Sequence, residues 1–178
     1  IRAGAPTEEE AQSLAEQVEI HVQPVGETLR IRATRPALTN GRSIRVSYVI
    51  ASPRRMDVRC NSSYGALAVT NVEGMVYART GNGSIRVQDV QGPADLHSSY
   101  GSITCRNVTG QMVKLRSGNG SVAASDIQGS ADLESSYGAV TCERLTEGNQ
   151  RLRSGNGRVV VVDSTFGTCE ARSSYGKV

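Results

Sequence analysis

The chain has 178 residues, with 20 Lys and Arg against 17 Asp and Glu and a net charge of +3. That length suits one repeat domain with a small accessory unit rather than two large cores. The interspersed, nearly balanced charge is not the footprint of a dedicated nucleic-acid binder, and one Phe with no Trp leaves little aromatic surface for stacking on bases.

In chain order, Ala5-Pro6-Thr7-Glu8-Glu9-Glu10 reads as a helix start, with Thr7 as cap and Glu10 as its capping-box partner. Ala11, Leu14, Ala15 and Val18 continue an apolar stripe, which predicts a helix over about 7–18. Residues 19–33 alternate apolar and polar around a turn from Pro24 to Glu27, a hairpin pattern. Residues 35–42 read as a loop, and a lead-in strand is expected over about 43–51 before Pro53-Arg54-Arg55. Residues 1–57 thus form an expected α+β cap, whose task would be to cover the open end of the strands beyond it.

From residue 58 onward a repeat takes over. Ser62-Ser63-Tyr64-Gly65 recurs at Ser98, Ser135 and Ser173, and Thr80-Gly81-Asn82-Gly83 recurs at Ser117 and Ser154. The seven motifs start at 62, 80, 98, 117, 135, 154 and 173, so the spacing is 18 or 19 residues. A fixed short period means one unit stacked on copies of itself. With the first Ser or Thr as position zero, +5 is Leu67, Ile85, Ile103, Val122, Val140, Val159 and Val178, and +7 is mostly apolar, with mixed residues between. This period of two marks a strand. A second strand precedes each motif, with apolar residues at −2 and, Gln150 excepted, at −4. Two strands and two glycine turns per coil predict an all-β fold, a parallel β-solenoid of 18–19-residue coils over 58–178. At a strand spacing of ~4.8 Å its length is roughly 30 Å.

Position −3 reads Tyr77, Asp95, Lys114, Asp132, Arg151, Glu170, so its sign alternates from Asp95 onward and stacked neighbours attract. All four cysteines are expected to be free and buried. Cys105 and Cys142 sit two coils apart in column +7, about 9.6 Å and beyond disulfide reach.

Three columns are candidates for recognition. Position +2 alternates Tyr64, Asn82, Tyr100, Asn119, Tyr137, Asn156, Tyr175, which puts a Tyr on one edge every ~9.6 Å. The Asn-Gly steps there suggest turns with positive φ. Position −1, with Arg79, Arg116, Arg153 and Arg172, is a candidate basic stripe, interrupted by His97 and Glu134. Position +9, with Asn71, Asp89, Asn107, Asp126 and Asp163, suits Asx turns, and Arg144 breaks any calcium-type ladder there. Neither His21 nor His97 has a nucleophile or carboxylate at motif spacing. No catalytic residue, metal or cofactor is expected.

The tandem Ser-Gly-Asn-Gly-Ser-Val and Ser-Ser-Tyr-Gly-Ala-Val units, joined by Asp-Ile-Gln-Gly and Asp-Val-Gln-Gly turns, resemble a bacterial adhesin-type β-strand-repeat family of unknown function. The resemblance covers roughly residues 40–178. It implies an extracytoplasmic protein, at the cell surface or in the periplasm, with no catalytic residues to carry over. The expected function is a non-enzymatic scaffold. Alternatives are a carbohydrate- or cell-wall-binding module that uses the Tyr edge, and a rod that assembles end to end through its last coil. Candidate partners are accordingly a surface glycan, another protein or a second copy, with no nucleic acid and no membrane span in this fragment.

Overall fold

Strand pairing is antiparallel and short in the N-terminal part and parallel throughout the rest. The computed structural model describes residues 1–25, 28–34, 36–38 and 42–178. By its contacts the chain divides into Ile1–Ala51 and Ser52–Val178.

The first unit comprises β1 (Arg2–Gly4), α1 (Glu8–Glu16), β2 (Glu19–Val25), β3 (Thr28–Thr34) and β4 (Ser43–Arg45). Thr7 caps α1 as expected, its hydroxyl accepting from the Glu10 N–H at 3.3 Å. Leu14 and Val18 bury the helical stripe against Ile44, with Ala3, Ala5, Ala33 and Val46 around them. The hairpin forms in the register Ile20↔Ala33 and Val22↔Ile31, while its turn at residues 26 and 27 lies outside the described residues. The same holds for residues 35 and 39–41 of the expected loop. One expectation fails. The lead-in strand stops at Arg45, because β4 pairs only with the three residues of β1, and Tyr48, Val49 and Ile50 stay exposed.

The second unit is the solenoid. Its strands are β5 (Val58–Tyr64), β6 (Leu67–Val72), β7 (Val76–Asn82), β8 (Ile85–Gln91), β9 (Ala94–Ser98) and β10 (Ile103–Ser117). They continue as β11 (Val122–Ser135), β12 (Val140–Thr146), β13 (Asn149–Ser154), β14 (Val159–Val162) and β15 (Thr168–Ser173). One face stacks β6, β8, the first halves of β10 and β11, β12 and β14. The other stacks β5, β7, β9, the second halves of β10 and β11, β13 and β15.

Register follows the columns residue for residue. Ile85 lies beside Ile103, which lies beside Val122, and Leu96 beside Leu115, which lies beside Leu133. Columns +5, +7, +10, −2 and −4 fill the interior, and from Ile85 to Leu152 nearly every member is inaccessible to solvent. Gln150 does point inward, and its amide donates to the carbonyls of Gly129 and Glu147 at 3.0 and 2.7 Å. Cys169 departs from expectation: it is exposed in β15, which pairs with β13 on one side, and Cys60 in β5 is only half-buried. Cys105 and Cys142 are buried and all four thiols are free.

The two corners of each coil differ. At the corner after +10, β10 and β11 run on without interruption, and the register slips between Thr109 and Met112. Two residues there, Gly110 and Gln111, face one, Gly129, so this corner absorbs the extra residue of a 19-residue coil as a bulge. At the motif corner every coil has the same number of residues between position zero and +5, and the backbones are as close as at the other corner. A Cβ on Gly138 would stand 2.3 Å from the Gly120 carbonyl oxygen, and one on Gly157 would stand 2.3 Å from that of Gly138. Glycine is required here by the closeness of the coil beneath.

Gly138→Ala should therefore lower stability by about 1–3 kcal/mol through overpacking. Gly167→Ala, whose methyl would meet nothing nearer than 3.5 Å, should be far milder. Thermal unfolding of the two variants side by side checks the contrast.

Candidate functional site

The motif corner is built around a buried hydroxyl. Ser98, Ser117, Ser135 and Ser154 at position zero are buried polar residues in an otherwise apolar interior. Each Oγ donates to the glycine carbonyl of the preceding coil at 2.9 Å: Ser98 to Gly83, Ser117 to Gly101, Ser135 to Gly120 and Ser154 to Gly138. Each also accepts from the glycine N–H of its own coil, at 2.9 Å for Gly101 and Gly120 and 2.8 Å for Gly138 and Gly157. Ser173 does the same on the last coil. One oxygen thus satisfies two backbone groups on adjacent coils that would otherwise be buried unpaired. The repeat pattern exposes these serines as an unbroken Ser/Thr column, but only the stacking shows what they bond.

Position +2 projects outward from this fixed corner. Its backbone is tied down: the Tyr100 and Tyr137 N–H groups donate to Gly81 and Gly118 at 3.1 Å, and that of Tyr175 to Gly155 at 3.0 Å. The side chains are free. Tyr64, Tyr100, Tyr137 and Tyr175 are 72%, 63%, 63% and 87% exposed. The intervening Asn82, Asn119 and Asn156 are exposed too. Contrary to expectation, none of these asparagines has positive φ. The left-handed residues other than glycine are instead, Glu147 apart, those of column +9: Asn71, Asp89, Asn107, Asp126, Arg144 and Asp163, all with φ between 47° and 57°. There Arg144 links the column rather than breaking it. Its guanidinium holds the Asp126 carboxylate with bonds of 2.6 and 3.0 Å and keeps that carboxyl below the usual range.

The −1 column runs alongside the tyrosines, in the order Arg79, His97, Arg116, Glu134, Arg153, Arg172. Most of its arginines have local partners. Arg116 meets Asp132 at 3.3 Å and Glu134 at 3.6 Å, while Arg153 and Arg172 share Glu170 at 3.8 and 2.9 Å. Arg151 of the −3 column joins the same Glu170 at 3.5 Å, so the alternating ladder connects diagonally as well as vertically. Arg79 instead lies 5.7 Å from the ring centre of Tyr77. Burial, and then the charges of Arg79 below and Arg116 above, push the His97 pKa down, with Asp95 opposing them. Tyr64, Arg79, Asn82 and His97 line one shallow depression, so the two candidate columns meet at the N-terminal end of the edge. A second hollow lies on the other corner, between Arg54, Asn71, Glu73, Asp89 and Asn107.

No group of three or more His, Cys, Asp or Glu able to hold a metal occurs among the described residues. No helix among them is long and apolar enough to cross a membrane. Burial pushes the Cys105 and Cys142 thiols up to about 12, with the charge of Cys169 adding to the rise at Cys142. Alkylation at mildly alkaline pH should therefore label exposed Cys169 first and leave Cys105 and Cys142 untouched until the protein unfolds; mass mapping of the labelled peptides checks this. Because both folded-state values are raised, the stability from keeping these thiols protonated is complete below the ordinary thiol range and is lost as pH climbs towards 12.

A family model described as Toastrack DUF4097 matches residues 20–178. No curated protein and no solved structure matches the chain.

Proposed function

The chain belongs to the Toastrack DUF4097 family, whose function is unknown, and on that premise we propose that it is a non-enzymatic, extracytoplasmic β-solenoid scaffold that displays a repetitive edge for recognition. The observation that carries this reading is the row of four exposed tyrosines, one on every second coil, each rooted in a hydrogen-bonded corner. Several of the polar groups that could have served chemistry have structural duties. The serine hydroxyls are buried between glycines, and two of the thiols are held protonated by burial. The extracytoplasmic location and the adhesin-type role come from the repeat's resemblance to the bacterial β-strand-repeat family and belong to the proposal.

A more specific reading is favoured by the depression that brings Tyr64 together with Arg79 and His97. A flat aromatic face beside hydrogen-bond donors suits a sugar ring, and tyrosines ~9.6 Å apart would meet an extended glycan at regular intervals. In this reading the edge binds a linear carbohydrate or cell-wall polymer, and the scaffold is a recognition module.

A variant with Tyr64, Tyr100, Tyr137 and Tyr175 all changed to Ser tests both. It should keep the β-sheet circular dichroism signal of the native protein, because these aromatic rings add little to the core. On a glycan array and in cell-wall pull-downs, the native protein should bind and the variant should not. Binding that survives the four substitutions would remove the edge from the function. Absence of binding by the native protein would leave a spacer without this recognition role.

A further inference from the structure

Besides Asn40-Gly41, which lies outside the described residues, the molecule carries three Asn-Gly steps, in one column and exposed alike, Asn82-Gly83, Asn119-Gly120 and Asn156-Gly157. They differ first in the glycine N–H that follows each Asn. The Gly120 and Gly157 N–H groups are bound at 2.9 and 2.8 Å by the hydroxyls of Ser117 and Ser154. In the coil of Asn82, position zero is Thr80, whose hydroxyl reaches only the Gly65 carbonyl, at 3.2 Å. Among the described residues nothing accepts from the Gly83 N–H. Asn82 also lies in the strand segment of its coil, with its carbonyl taking the Gly65 N–H at 3.2 Å, whereas Asn119 and Asn156 lie in bends.

That nitrogen is the nucleophile of asparagine deamidation. It gives up its proton to solvent base and attacks the Asn Cγ. The new C–N bond closes a succinimide, the Cγ–Nδ2 bond of the amide breaks, and ammonia leaves with a proton. Water then opens the ring at either carbonyl to give aspartyl or isoaspartyl. A glycine N–H held by a buried serine must first break that bond, and its serine is already committed as a donor to the coil beneath. We propose that Asn82 is a site of spontaneous modification in this protein, and that Asn119 and Asn156 are protected by their serine clamps. The consequence is local. The product carboxylate would enter the depression shared by Tyr64, Arg79 and His97 and add a negative charge beside the arginine. The inference stands whether or not that edge binds a glycan.

The test is peptide mapping by mass spectrometry, with isoaspartate detection, after incubation of the folded protein in mildly alkaline ammonia-free buffer. Asn82 should convert ahead of Asn119 and Asn156. Thr80→Ser should install the missing clamp and slow Asn82 roughly several-fold, the scale of one hydrogen bond, and Ser117→Thr should speed Asn119 to a similar degree. Circular dichroism keeps the comparison to folded protein. Equal rates at the three sites in the native protein would overturn the proposal, as would a Thr80→Ser variant that modifies at the native rate.

Discussion

One bonding pattern underlies the stack: a buried serine hydroxyl held between the glycine carbonyl of one coil and the glycine N–H of the next. A parallel solenoid bends its backbone sharply twice per coil, and here it does so against the coil beneath. The glycines let the backbones approach to contact, and that approach excludes water from their polar groups. The serine resolves the resulting deficit without adding bulk. Each such bond contributes about 1 kcal/mol net, yet leaving the pair unmade would cost more. Removing the glycine or the hydroxyl undermines the other.

This constraint also explains the division of labour within a coil. Since −2, −4, +5, +7 and +10 are fixed inward by alternation from a fixed corner, the outward columns are free to vary. One carries alternating charge, one carries arginines largely neutralised by neighbouring acids, and one carries tyrosine on every second coil. Exposed ion pairs of this kind contribute little each, at ~0.2–1 kcal/mol. Their alternation serves register more than stability, because a slip by one coil would stack like charges.

Much of this was legible in the sequence because a stack converts columns into neighbours. The inward positions, the coil length, the parallel pairing and the exposed tyrosines all follow from motif spacing. What escaped depends on how backbones meet. Nothing in the order Asn71, Asp89, Asn107, Asp126, Arg144, Asp163 announces a left-handed residue at Arg144, since the coil beneath imposes it. The asparagines before glycine carry the usual signature of that conformation and do not adopt it. The job of the serines was hidden because a hydroxyl in a turn suits water as well as a carbonyl. The β1–β4 pairing joins residues far apart in the sequence through only three positions, too few to leave a pattern. Cys169 fits an inward column but its strand pairs on one side only, and burial needs a coil on both sides.

The unequal corners give the solenoid a direction in which it can change. Where a bulge already takes up one extra residue between Thr109 and Met112, and Glu147 and Gly148 adopt left-handed backbone beside another long coil, the backbone tolerates a change of length. The glycine-and-serine corner keeps one length in every coil. Variation through insertion is thereby steered to one side of the protein, and the side with the tyrosines keeps its pitch. A lineage could decorate the one flank with loops of its own while the other remained a ruler of unchanged graduation.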